Sequence, residues 1–168
     1  TYLGSGSVEG SIGYDPEKLA FRMSEDDGYL RVISSSNRWE ERWGDLGRHR
    51  LSILGEADTD KLLMSTVSVL PNADRPQHIG KPGEDLYAVR FQGKRGYVVT
   101  FERVDPLYAL DLSQADDPYI LGELQIEGFS EYLHPVGDNL LIGIGMQAIS
   151  AMNPPPSTRM VTWMQGVQ

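Results

Sequence analysis

The sequence predicts an all-β fold, a partial β-propeller of about two and a half four-stranded antiparallel blades. Three observations carry that prediction. From Leu86 to Gly145, short apolar runs rich in Tyr, Val, Ile, Leu and Phe are punctuated by Gly, Asp-Pro and Asn, the pattern of strands joined by tight turns. A strand, a glycine-containing turn and a second strand recur: Phe21-Arg22-Met23 is followed seven residues after its Arg by Tyr29, Val89-Arg90-Phe91 likewise by Tyr97, and Leu133-His134-Pro135 by Leu141, seven after its His. Four predicted strands lie between Leu86 and Ile126, a unit of about 40 residues, which is the propeller period. Small sheets with two apolar faces stack face to face because only stacking buries both.

Taken in order, Thr1–Gly13 is Gly- and Ser-rich and reads as a connector leading into an edge strand. Tyr14–Leu19 reads as a turn on Asp15-Pro16. Ala20–Met23 and Tyr29–Ser34 are expected strands around an acidic turn, Ser24–Gly28, whose Asp-Gly pair is a strong hairpin signal. Ser35–Gly47 reads as a loop carrying Trp39 and Trp43, since Gly44 and Gly47 interrupt any helical period. His49–Leu54 and Leu62–Leu70 form a second expected hairpin around Glu56–Asp60, and Pro76–Ile79 is expected to supply a short outer strand. Pro106–Ser113 and Tyr119–Ile126 complete the middle unit. Pro154-Pro155-Pro156 is a stiff insertion before a last apolar run, Met160–Trp163. The blades are expected at roughly 20–80, 86–126 and 130–168, the last incomplete, within a single domain, 1–168. Propellers have about four to eight blades. The expectation is therefore that the remaining blades of a longer parent, or other copies of the chain, complete the circle.

Composition sets the limits on function. A net charge of −9 and a pI near 4.7 argue against a nucleic-acid backbone as the main partner. The absence of Cys excludes disulfides, thiolate metal sites and Cys nucleophiles. No apolar run approaches the ~20 residues of a membrane-spanning helix.

The residues Gly28-Tyr29-Leu30-Arg31-Val32, Arg90–Gly93, Tyr97–Phe101, Val104–Leu112, Leu121–Leu124, Gly128–Pro135 and Ile142–Gly145 resemble the β-propeller domain of a group of secreted, mostly uncharacterised bacterial and archaeal proteins. The resemblance implies a propeller and a secreted, periplasmic or cell-surface location. It implies no reaction. The stretch around Ser35–Leu54 and the prolines at 154–156 depart from the family pattern, at expected loops.

The candidate ligand-binding residues are Arg22, Arg90 and His134, which share the repeated position. On innermost strands they would line the channel and hold an anionic ligand or a peptide carboxylate. The competing structural role is pairing with a carboxylate such as Asp105, Asp111 or Glu131 of a neighbouring blade. His49, His78 and His134 show no H-x-H or HExxH spacing, so no metal or cofactor is expected. The acidic groups Glu25-Asp26-Asp27, Asp58 with Asp60, and Asp116-Asp117 match no EF-hand loop and suit solvated turns. Trp39 and Trp43 form either an exposed ligand platform or a cap over a blade edge. No G-x-S-x-G elbow is present. The functional expectation is a non-catalytic binding or scaffold module; the alternative is a hydrolase or lyase at the channel mouth, with His134 working beside Arg90 and Asp105.

Overall fold

A computed structural model describes residues 4–36, 48–58, 60–101, 105–126, 129–137, 140–146 and 161–166, with 105, 126, 129, 146 and 161–166 described in backbone only. The chain begins differently from expectation. Asp15 caps a short helix, α1 (Pro16–Leu19), by accepting from the Glu17 amide at 3.0 Å, and Pro16 sits where its missing N–H costs nothing. A 3-10 turn, Ala20–Arg22, follows. The expected strand Ala20–Met23 is thus helical up to Arg22, because a capped run without a β-branched residue favours the coil of a helix over a pleat.

Among the described residues eleven strands follow, in three antiparallel sheets. Sheet 1 holds β1 (Met23–Asp26), β2 (Tyr29–Ser35), β3 (His49–Asp58) and β4 (Leu63–Leu70), in chain order. Sheet 2 holds β5 (Asp85–Gln92), β6 (Arg95–Phe101), β7 (Asp105–Asp111) and β8 (Tyr119–Ile126), again in chain order. Sheet 3 holds β9 (Phe129–Val136), β10 (Leu140–Met146) and β11 (Val161–Gly166), with β10 central. The β1–β2 turn is only Asp27-Gly28, whose φ values of 55° and 81° are both positive, as a two-residue type I′ hairpin requires. Ser24–Asp26, expected in the turn, belong to β1. Glu56–Asp58, likewise expected to turn, continue β3. Pro76–Ile79 forms no strand: Ile79 makes one bridge to His49, and the outer position is occupied by β4. The Trp39–Trp43 and Pro154–Pro156 readings lie outside the described residues.

The sheets stack face to face. Ile33, Leu51, Ile53 and Leu70 of sheet 1 pack against Val89, Val98, Tyr108 and Leu110 of sheet 2. Ala88, Tyr97 and Val99 of sheet 2 pack on its opposite face against Leu133 and Leu141 of sheet 3. Strand β6 shows why both faces must be apolar: consecutive Tyr97, Val98 and Val99 are buried, and Val98 points the opposite way from its neighbours. Each such side chain taken out of water contributes about 1.5–3 kcal/mol. Polar contacts fix the blade 1–blade 2 register at the rims. Arg31 Nη1 donates to Gly93 O at 2.6 Å, Lys94 pairs with Asp26 at 2.8 Å, and Arg48 pairs with Asp85.

Residues 4–13 run as a strap across the outward face of sheet 1. Ser5 exchanges backbone hydrogen bonds with Leu62 and Met64, each 2.9 Å, beside β4, while Ser11 pairs with Ser35 at the end of β2. Between them Ser34 Oγ donates to Glu9 O at 2.7 Å, and Arg50 pairs with the Glu9 carboxylate at 2.9 Å. The expected connector is therefore bound to two strands of its own sheet.

Candidate functional site

The segment from Pro16 to Arg22 lies against β5, the first strand of sheet 2, and reaches β9, the first strand of sheet 3. Lys18 Nζ stands 5.2 Å from the Tyr87 ring centre. The Arg90 guanidinium lies 5.0 Å from the ring centre of Phe21, and Phe21 meets Tyr132 edge to face at 5.7 Å. Tyr132 in turn shares a hydrogen bond of 3.0 Å between its hydroxyl and His134 Nδ1, with the rings 5.9 Å apart. The result is a continuous cluster, Arg90–Phe21–Tyr132–His134, spanning the first strands of two sheets.

Arg90 and His134 thus stand at the two ends of one chain of ring contacts, and Arg22 is directed elsewhere. Arg22 Nη2 donates to the Leu86 carbonyl oxygen at 3.2 Å. Burial lowers its pKa, against the opposing influence of Asp15. Its role is to anchor the 3-10 turn on β5. The strand registers explain the difference. Arg90 pairs directly with Tyr97, but His134 pairs with Ile142, one residue beyond Leu141, and Arg22 precedes β1, which starts at the pair Met23–Val32. Equal spacing in sequence does not give equal places in the sheets, because the three hairpins have different turns.

Among the described residues, neither Asp111 nor Glu131 pairs with Arg22, Arg90 or His134. Asp111 pairs with Arg95. The side chain of Asp105 lies outside the described residues. Arg90 Nε is buried without a hydrogen-bond partner among the described residues, so the guanidinium is held by the Phe21 ring and packing. His134 is exposed. A guanidinium above an aromatic ring can hold a carboxylate or another small anion by charge-assisted hydrogen bonds, and the Tyr132 hydroxyl and exposed His134 imidazole offer hydrogen-bonding groups at the far end of the ring chain. Phe21 and Tyr132 were missed by the sequence reading. Only the proximity of the 3-10 turn to β9 reveals them, and no local periodicity encodes it.

The acidic turns serve local structure. Glu25 accepts from the Gly28 amide at 2.9 Å, Asp58 accepts from the Lys61 amide at 3.0 Å, and Asp117 holds Arg75 through two hydrogen bonds of 2.9 and 2.6 Å. Among the described residues, no group of three or more His, Asp or Glu is placed to hold a metal ion. No described helix is long and apolar enough to cross a membrane.

A second histidine, His49, sits in the seam between sheets 1 and 2. Its Nδ1 is 2.8 Å from Ser35 Oγ and its Nε2 3.0 Å from the Glu84 carbonyl oxygen. The acceptor at Nε2 assigns the proton to that nitrogen and makes Nδ1 the acceptor from the Ser35 hydroxyl. The Glu84 side chain is held by Thr100 Oγ1 at 2.6 Å and by the Lys81 amide at 2.8 Å. This buried polar bridge joins the two sheets at the end opposite the β1–β2 turn.

A family model described as Beta propeller domain matches residues 1–168. An uncharacterised protein of Methanocaldococcus jannaschii is 42% identical over 125 residues, which is 74% of this chain and 18% of that protein. An uncharacterised protein of Archaeoglobus fulgidus is 35% identical over 127 residues, 76% of this chain and 17% of that protein. The chain thus spans less than a fifth of the length of these relatives. No solved structure matches it.

Proposed function

Because the chain belongs to the beta propeller domain family, we propose that it is a non-catalytic binding module of an exported protein, taking a carboxylate or similar small anion at the inner strands. The carrying observation is that Arg90 and His134, 44 residues apart in sequence, are linked through the Phe21–Tyr132 ring pair. Arg90 supplies a permanent charge and Tyr132 and His134 supply hydrogen-bonding groups at the exposed rim. Arg22 supports the site indirectly by fixing the turn that carries Phe21. Sheet 3 also presents Val136 and Ile144, each 42% exposed, and this face suits a further blade or another copy of the chain.

The test compares acetyl-Ala-Ala-Ala carrying a free carboxylate with its C-terminal amide, titrated into the isotope-labelled chain and followed by NMR. The acid is expected to shift signals of Tyr132 and His134 saturably, and Arg90→Gln to weaken that binding at least tenfold. Equal binding of acid and amide, or an unchanged affinity in Arg90→Gln, would overturn the reading. The exported location is part of the same proposal, motivated by the family resemblance; fractionated cells of the native source are expected to hold the protein outside the cytoplasm.

A further inference from the structure

Sheets 1 and 2 part toward the end carrying the β1–β2 and β5–β6 turns, leaving a cleft of about 510 Å³. Its floor is Ile53 and Leu112, both buried. One wall is the Tyr29 ring, laid over Gly55 beside Val67; a Cβ at Gly55 would meet the Tyr29 ring at 3.2 Å and Val67 Cγ2 at 3.0 Å, so glycine is what lets the ring lie there. The rim carries Asp27 and Lys94 on one side and Gln114 and Asp116 on the other.

The charges in this cleft do not cancel. Lys94 is held by Asp26 at 2.8 Å, and Arg31 also faces Asp26, at 3.7 Å, with its side chain only 4% exposed. One carboxylate thus serves both cations. Asp27, 81% exposed, is only loosely reached by Lys94 at 3.8 Å, and Asp116 has no ion-pair or hydrogen-bond partner among the described residues. Two carboxylates therefore flank an aromatic ring above an apolar floor, a combination that suits a cation on an apolar stem. Arg31 is a fixed part of the cleft wall. Its Nε is buried without a hydrogen-bond partner among the described residues, although Nη1 and Nη2 are bonded to Gly93 O and Ser24 Oγ. The Phe91 ring, its centre 5.2 Å from the Arg31 guanidinium carbon, closes this group in, so the wall it forms is fixed before any ligand arrives. A basic peptide segment carries such a side chain, a cation on an apolar stem. The acidity of the whole chain, −9, favours the approach of a basic partner.

We propose that the blade 1–blade 2 cleft binds a basic peptide segment, with an Arg or Lys side chain between Asp27 and Asp116 against Tyr29. The proposal is independent of the inner-strand anion site, which lies against sheet 3 and uses none of these residues.

The probe is acetyl-Gly-Arg-Gly-amide, titrated into the isotope-labelled chain by NMR, with acetyl-Gly-Glu-Gly-amide as comparison. Saturable shifts are expected at Tyr29, Lys94 and Gln114 with the Arg peptide alone, and the affinity is expected to fall severalfold between 50 and 500 mM NaCl. The double variant Asp27→Asn, Asp116→Asn is expected to bind at least tenfold more weakly. Asn tolerates the positive φ of position 27, so the fold is kept, and circular dichroism verifies it. Shifts elsewhere on the chain, equal affinity for the Glu peptide, full binding by the double variant, or no saturable shift at millimolar peptide would each overturn the proposal.

Discussion

At 1% exposure, the His49 imidazole lies between the Ser35 hydroxyl and the Glu84 carbonyl oxygen, and burial pulls its pKa down to about 4. The nearby Arg48 and Arg22 charges act in the same direction, while the bond to Glu84 and the charge of Asp85 oppose it. The unfolded chain binds this proton below about pH 6.5 and the folded chain only below about pH 4. Acid therefore favours unfolding. The contribution of neutral His49 is full above about pH 6.5 and is lost as pH falls toward 4, up to about 3 kcal/mol in all. Denaturant titrations at pH 7.5 and pH 5 are expected to show the loss, and His49→Gln to flatten that slope. An undiminished slope in the variant would assign the effect to other groups. The carboxylates held low by partners, Asp26 beside Lys94 and Asp117 beside Arg75, act at more acid pH.

At the scale of elements, hairpin geometry decides where each side chain arrives. Asp27-Gly28 closes β1 and β2 in two residues, which fixes Asp26 opposite Tyr29 and places Arg31 and Ile33 on the face toward sheet 2. Gly28 at φ 81° has nothing within 4 Å of an added Cβ, so Gly28→Ala tests backbone conformation alone. It is expected to lower stability by about 1 kcal/mol, seen as a lower denaturation midpoint with an unchanged slope. These strands were legible in sequence because alternation and Asp-Gly are local signals, as the match of Tyr119–Ile126 to β8 shows. The helical start at Pro16–Arg22 was not. There, an N-cap and a run of good helix formers outweighed the apolar residues that suggested a strand. The candidate site followed the same division: Arg90 and His134 were named from a repeat, while Arg22 took a different role because its hairpin turns at a different place.

For the whole molecule, sheet 2 is the element buried on both faces, and the terminal sheets differ. Sheet 1 has its outward face crossed by residues 4–13, with Glu9 bonded to Arg50 and bound by Ser34. Sheet 3 leaves His134, Val136 and Ile144 exposed on its outward face. Apolar sheet faces associate, so light scattering is expected to show a mass that rises with concentration, and Ile144→Lys to reduce it. A mass that stays monomeric at all concentrations would show that this face has no affinity for other copies.

What the sequence by itself determined is the all-β pattern, the order of the strands and the tight turns between them, since these depend on residues a few positions apart. What only the tertiary structure decided is which faces meet: Phe21 between Arg90 and Tyr132, His49 in the seam of two sheets, Asp27 across a cleft from Asp116. Such meetings are set by the stacking of one sheet on another, and two faces with the same apolar alternation carry no local mark of the side chains that will lie opposite them.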